Sequence, residues 1–152
     1  MKILHVNFSD SEGGAAIAVK RFHDILNINS LNSYMMVSEK KYNQNNIINI
    51  PKNSEKIKNL FKDSFNRKII KLLKQNNTGS HSLNLIPSKL LKKINNFNAD
   101  VVNLHWIGNE TISIKNINKI KSEVIWTLHD MWPFCGTEHY SLTEEYIQGY
   151  KS

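Results

Sequence analysis

An α/β architecture, a doubly wound and mainly parallel sheet with helices on both faces, is the fold this sequence predicts, and three features predict it. Short β-rich apolar segments alternate with helical patterns along the chain. The first segment, residues 2–6, runs through a polar loop into Gly13-Gly14 and a helix of small residues, a strand–loop–helix start. Two later segments, 100–106 and 123–129, are rich in β-branched and aromatic residues, as strands buried on both faces of a parallel sheet are.

In chain order, residues 2–6 predict the first strand and 8–12 a polar loop. Over residues 15–29, Ala15, Ala18, Val19, Phe22, Ile25 and Leu26 recur at three- and four-residue spacing, the apolar stripe of a helix packed on a sheet. Residues 34–38 predict a second strand and 46–50 a short third one, closed by Pro51. Ser54 is placed to cap a basic amphipathic helix at about 54–75, with Ile57, Leu60, Phe61, Ile69, Leu72 and Leu73 on one face. A loop at 76–82 follows, and Pro87-Ser88 opens a helix that runs to about Phe97. Residues 113–121 fit a short crossover helix between the two late strands.

A chain of 152 residues predicts one domain. With 40% hydrophobic and 22% charged residues, it has too much apolar content for global disorder. No apolar run approaches the roughly 20 residues of a membrane-spanning helix, and the first seven residues read as a strand rather than a signal peptide. The cytoplasm is therefore the expected compartment. The single cysteine, Cys135, has no second thiol with which to form a disulfide or a zinc site.

Charge is unevenly placed. Residues 40–93 hold 13 Lys or Arg against Glu55 and Asp63, a local net of +11 in a chain of +7. A basic face attracts nucleic acid, anionic lipid or a phosphorylated substrate. Nearly all of this charge is lysine, with only Arg21 and Arg67 able to form a guanidinium fork, and no aromatic residues interleave as a stacking platform would. Nucleic acid is not an expected partner.

Ligands of open α/β sheets bind beyond the carboxyl ends of the strands, so the residues directly after each strand are the candidates for chemistry. These are Asn7, Ser9 and Gly13-Gly14-Ala15 after the first strand, His105-Trp106 after a later one, and His129-Asp130 with Trp132 after the last. Gly-Gly before a helix admits a ligand close to the backbone, where unpaired amides and the helix dipole favour a phosphate; a tight turn with close helix packing is the other reading. His129 is positioned to donate to a sugar hydroxyl or a departing phosphate, with Asp130 orienting it or binding hydroxyls, although a structural histidine fits the same position. Trp106 and Trp132 suit the C–H faces of sugars as well as plain packing. Glu138-His139 could join His105, His129 and Asp130 as metal ligands, but no HExxH spacing exists, so neither a metal nor a cofactor is expected.

Taken together, the opening Lys2-Ile-Leu-His-Val-Asn7 with Gly13-Gly-Ala-Ala16, the stretch Asp100-Val-Val-Asn-Leu-His-Trp-Ile107 and the segment Val124-Ile-Trp-Thr-Leu-His-Asp-Met-Trp-Pro-Phe134 resemble glycosyltransferase family 4. The resemblance covers nearly the whole chain, with only an outline match at 40–82. It implies the N-terminal, acceptor-side Rossmann-like half of a retaining GT-B enzyme that moves a sugar from a nucleotide-sugar to a glycan or lipid-linked acceptor in polysaccharide or lipopolysaccharide assembly. It also implies that Gly13, Gly14 and Ala15 lie near the donor diphosphate and that His129 contacts the donor sugar. Asn7, Ser9, His105, Trp106, Trp132, Glu138 and His139 are then expected to line the acceptor pocket, and His129 and Asp130 to act in catalysis. The C-terminal nucleotide-sugar domain of such enzymes is not in these 152 residues, so the chain alone is expected to be inactive. Family members also carry cysteines beyond the His-Asp-Met-Trp-Pro motif, where Glu138 and Thr143 stand here.

The alternative is a non-catalytic Rossmann-like module that binds an anion, lipid or glycan. Lysines flanking the apolar stripe of the 54–75 helix would suit peripheral contact with an anionic inner membrane face, and they would equally suit a solvated outer face.

Overall fold

The computed structural model describes residues 1–50, 81–85, 89–141 and 147. The chain divides into two compact units, Met1–Pro51 with Asn84–His129 and Lys52–Leu83 with Asp130–Ser152. The predicted basic helix at 54–75, its Ser54 cap, most of the 76–82 loop and Pro87-Ser88 lie outside the described residues. No described helix is long and apolar enough to cross a membrane.

The first unit is a five-stranded, all-parallel sheet. Its strands are β1 (Lys2–Ser9), β2 (Asn32–Glu39), β3 (Ile47–Asn49), β4 (Val101–Leu104) and β5 (Glu123–Trp126), with α1 (Gly14–Ile28), α2 (Leu90–Phe97) and α3 (Ile114–Ile117) between them. The spatial order is β3-β2-β1-β4-β5. The chain therefore winds one way from β1 to β3 and the other way from β4 to β5, which is the Rossmann-like α/β arrangement the alternating pattern predicts.

β1 is three residues longer than its apolar run predicts. Parallel pairing carries it on through Asn7 opposite Val37 and Ser9 opposite Glu39, and the Phe8 N–H donates to Trp106 O at 2.9 Å. Leu4 and Val6 are fully buried at the sheet centre, and Val19 of α1 packs with Met35, Val37 and Ile47 in one apolar cluster. Each such side chain stabilises the fold by about 1.5–3 kcal/mol through burial. The opposite end of the sheet is tied by Lys2, whose N–H donates to Asp100 Oδ2 at 2.6 Å while its ammonium donates to Phe97 O and lies 3.9 Å from the Phe97 ring centroid.

Two expectations are corrected. The sheet-facing stripe of α1 is Ala16, Val19 and His23, whereas Phe22 and Ile25 are 60% and 57% exposed. The helix is rotated from the predicted stripe because His23 is a core residue: its Nδ1 bonds Ser33 Oγ at 2.8 Å, and Asn27 Nδ2 donates to the His23 carbonyl at 2.9 Å. β5, predicted to be buried, is an exposed edge, with Val124 and Ile125 40% and 53% exposed although they point to opposite faces.

Among the described residues β5 is an edge strand whose one charge is Glu123 at its start, with Val124 and Ile125 exposed and no proline, and such an edge is a template for pairing with another chain. The chain is therefore expected to self-associate in a concentration-dependent way, and Ile125→Lys is expected to shift it to monomer in sedimentation velocity at unchanged circular dichroism. Equal sedimentation of the two proteins would contradict this.

Candidate functional site

The winding direction reverses between β1 and β4, so the carboxyl ends of these strands flank the crevice of the sheet. Five of the predicted residues meet there. Asn7 and Ser9 close β1, and His105 and Trp106 leave β4. His129 follows β5.

Asn7 and Ser9 act as braces. Asn7 Oδ1 accepts from the Trp106 N–H at 2.9 Å and its Nδ2 donates to Ser9 O at 2.6 Å, while Ser9 Oγ accepts from the N–H groups of Ser11 and Glu12. Both are 2% exposed. These bonds tie β1 to the β4 exit and shape the loop that leads to α1. Buried Asp10 adds to this, its carboxylate accepting from the Lys41 and Tyr42 N–H groups. Phe8 and Trp106 meet edge to face, with centroids 5.6 Å apart.

Gly13 has φ +88°, a backbone conformation that favours glycine, and it opens α1 without a side-chain cap. A Cβ at Gly13 or Gly14 would meet nothing within 4 Å, so close helix packing does not account for this pair. The space at Gly13 and Gly14 is open to a ligand, Ala15 beside them is half-buried, and helix amides at such a first turn favour an anion.

The histidines form a chain. His5 Nδ1 lies 3.0 Å from His105 Nε2, and His105 Nδ1 lies 3.0 Å from His129 Nε2. His5 and His105 are 1% and 5% exposed, whereas His129 is half-buried at the rim. Burial, with His23 adding, pushes the His5 pKa down from 6.5 to about 4; burial, with His5 and His129 adding, pushes His105 down to about 3. Both rings are therefore neutral at pH 7.

The other predicted residues lie in the second unit, around Ser82. His139 Nδ1 bonds Asp130 Oδ2 at 2.5 Å, His139 Nε2 lies 2.8 Å from Ser82 Oγ, and Asp130 Oδ1 accepts from the Trp132 N–H at 3.1 Å. Trp132 stacks on the His139 ring and donates from Nε1 to Ser82 O at 2.8 Å. Glu138 forms an isolated antiparallel bridge with His81. The order Ser–His–Asp is that of an activated serine. Ser82 is nonetheless only 4% exposed, and its own N–H, the donor nearest a developing oxyanion, is bonded to Thr137 O. The cluster works as a clamp on the 130–139 loop. Cys135 is buried within that loop, and burial pushes its thiol up, away from the reactive thiolate.

Sequence reasoning missed His5, Ser82 and Asn84. A histidine inside an apolar strand was a signal for the first; Ser82 and Asn84 carry none in a chain crowded with asparagine and serine. Among the described residues no group of three or more His, Cys, Asp or Glu is arranged to hold a metal ion. No family model matches the chain, and no curated protein or solved structure matches it.

Proposed function

We propose that this chain is the acceptor-side part of a glycosyltransferase that moves a sugar from a nucleotide-sugar to a glycan or lipid-linked acceptor. The observation that carries the reading is the first turn of α1: Gly13 and Gly14 leave open space at a helix start that has no side-chain cap, at the switch point of a Rossmann-like sheet. That is a seat for a diphosphate. The resemblance of the strand-end motifs to glycosyltransferase family 4 supports the same reading, as does a half-buried His129 able to meet a sugar oxygen. In this proposal His129 contacts the donor sugar, while Asp130 acts by holding His139 and Trp132. A second, nucleotide-binding domain supplies the contacts to the base and ribose, so the chain alone is expected to bind nucleotide-sugars weakly and to transfer nothing.

Saturation-transfer NMR with a panel of nucleotide-sugars tests this. Gly14→Leu should weaken any binding at least tenfold, because the branched side chain fills the diphosphate seat. Its melting temperature should stay the same or rise, since a side chain there meets nothing and leucine favours helix. No signal from any nucleotide-sugar, or equal binding by Gly14→Leu, would overturn the proposal, and turnover by the chain alone would overturn the need for a second domain.

A further inference from the structure

The helical layer on the side of the sheet away from α1 carries one sign of charge. Tyr34 of β2 is in register with Leu4, and the Phe97 ring at the end of α2 meets it edge to face at 5.1 Å. His5, the next residue of β1, points the other way and meets Phe22 and His23 of α1. α2 therefore lies opposite α1. The segment leaving α3 is tied to it by Asn95, whose Nδ2 donates to Lys119 O at 3.0 Å and whose Oδ1 accepts from the Lys121 N–H at 3.1 Å.

Residue spacing puts lysine on the outside of this layer. In α2, Leu90 and Ile94 are buried, whereas Lys89, Lys92 and Asn96, three and four residues apart, are exposed and Lys93 is half-buried. Around α3, Asn116 faces inward, while Lys115, Lys119 and Lys121 are exposed. The acids of residues 89–123 are Asp100, whose carboxylate accepts from the Lys2 N–H, buried Glu110, and Glu123 at the start of β5. Among the described residues no ion pair takes up any of the six ammonium groups. Two aliphatic side chains border them. Ile114 precedes Lys115, and its N–H donates to Asn84 O at 2.9 Å, which brings Leu85 beside it; each is 50% exposed. Lysines around exposed aliphatic tips match a bilayer surface, where phosphates attract the ammonium groups and the headgroup boundary takes up the tips. The six cations include no arginine, so diffuse attraction suits them better than a bidentate phosphate clamp. We propose that the α2–α3 layer docks this chain on an anionic lipid surface, with Lys89, Lys92, Lys93, Lys115, Lys119 and Lys121 over the headgroups and Leu85 and Ile114 dipping between them.

Docking through the layer opposite α1 leaves the α1 side of the sheet turned away from the lipid. Gly13 and Gly14 then stay open to a soluble ligand such as a nucleotide-sugar. A lipid-linked acceptor would come from the other side. That link to sugar transfer rests on the proposed function, whereas the docking itself rests on charge and exposure alone. The lysines concerned are also separate from those of the 54–75 segment, which lies outside the described residues.

Co-sedimentation of the full chain with vesicles tests this without any sugar. Vesicles of phosphatidylcholine and phosphatidylglycerol in equal parts are expected to bind the chain at low salt and release it at high salt, and vesicles of phosphatidylcholine alone to bind it far less. Each lysine near an anionic surface strengthens binding by about fivefold, so reversing three should weaken it by about a hundredfold or more. Two variants carry the change on separate elements: Lys89→Glu with Lys92→Glu and Lys93→Glu on α2, and Lys115→Glu with Lys119→Glu and Lys121→Glu around α3. Should one fail to keep its circular dichroism, the other still decides. Lys62→Glu with Lys71→Glu and Lys74→Glu changes the net charge equally and should cost much less binding. No binding to the anionic vesicles at low salt, equal binding to both kinds of vesicle, or a folded α2 or α3 variant that binds like wild type would overturn the proposal. So would a loss in the Lys62, Lys71 and Lys74 variant as large as in the other two. None of these outcomes bears on whether a nucleotide-sugar binds at Gly13 and Gly14.

Discussion

Lowering the pH from 7 to 4 is expected to remove several kcal/mol of unfolding free energy from the first unit, with most of the loss between pH 6.5 and 4. In the unfolded chain His5 and His105 titrate near 6.5, whereas in the folded chain burial holds them at about 4 and 3. Between those values the unfolded state binds protons that the folded state refuses, so stability rises with pH across this window and is fully present above 6.5. Each such proton contributes a slope of about 1.4 kcal/mol per pH unit. His23, also lowered chiefly by its burial, acts in the same direction. Two or three histidines acting together rival the total stability of an ordinary domain, about 5–15 kcal/mol. Urea unfolding at pH 7.5, 6.5, 5.5 and 4.5 measures the slope. His5→Asn should flatten it by about one proton's worth near pH 5.5. A midpoint that does not move between pH 7.5 and 4.5 would contradict the burial of neutral imidazoles in this sheet.

How far the sequence predicts this structure depends on the range of the interaction concerned. β1, β2, α1 and the parallel winding are legible because periodicity and β-branching are local and the Gly13-Gly14 break is unambiguous. The rotation of α1 is not legible, because His23 faces the core only by virtue of Ser33 on the neighbouring strand. The exposure of β5 is not legible for a related reason. An apolar β-rich run marks a strand suited to burial, but whether a neighbour covers it is settled elsewhere in space. At the site, the strand-end positions of His105 and His129 follow from the rule that ligands sit at carboxyl ends. Their connection to His5, 100 residues away from His105 in sequence, emerges only when β1 and β4 pair. Asn7 and Ser9 show the converse: the right place on the rim, with polar groups directed into the backbone.

Asn84→Ala is expected to destabilise the first unit by about 3 kcal/mol or more. The Asn84 side chain is fully buried and makes three hydrogen bonds to the loop that leaves β4: Nδ2 donates to Ile107 O at 2.6 Å and to Ile112 O at 2.8 Å, and Oδ1 accepts from the Glu110 N–H at 3.2 Å. Its own carbonyl accepts from the Ile114 N–H at 2.9 Å, where α3 begins. Alanine would leave three backbone groups without these partners, each costing about 1–3 kcal/mol if it stays buried. Asn84 also has φ +47°, and the loop it holds contains two successive left-handed residues, Asn109 at +51° and Glu110 at +56°. Asparagine tolerates that backbone conformation better than alanine does. Two further substitutions separate the contributions. Asn84→Gly relieves the backbone strain but not the lost bonds, so it should be less destabilising than Asn84→Ala by about 1 kcal/mol. Asn84→Asp keeps the acceptor for Glu110 but turns a carboxylate towards the Ile107 and Ile112 carbonyls, and it should be the worst of the three. Urea midpoints give the ranking Gly, Ala, Asp in order of increasing damage. Since the loop begins two residues beyond His105, hydrogen exchange at 107–112 should accelerate in all three variants. An alanine variant within about 1 kcal/mol of wild type would show that this loop is held by something other than Asn84.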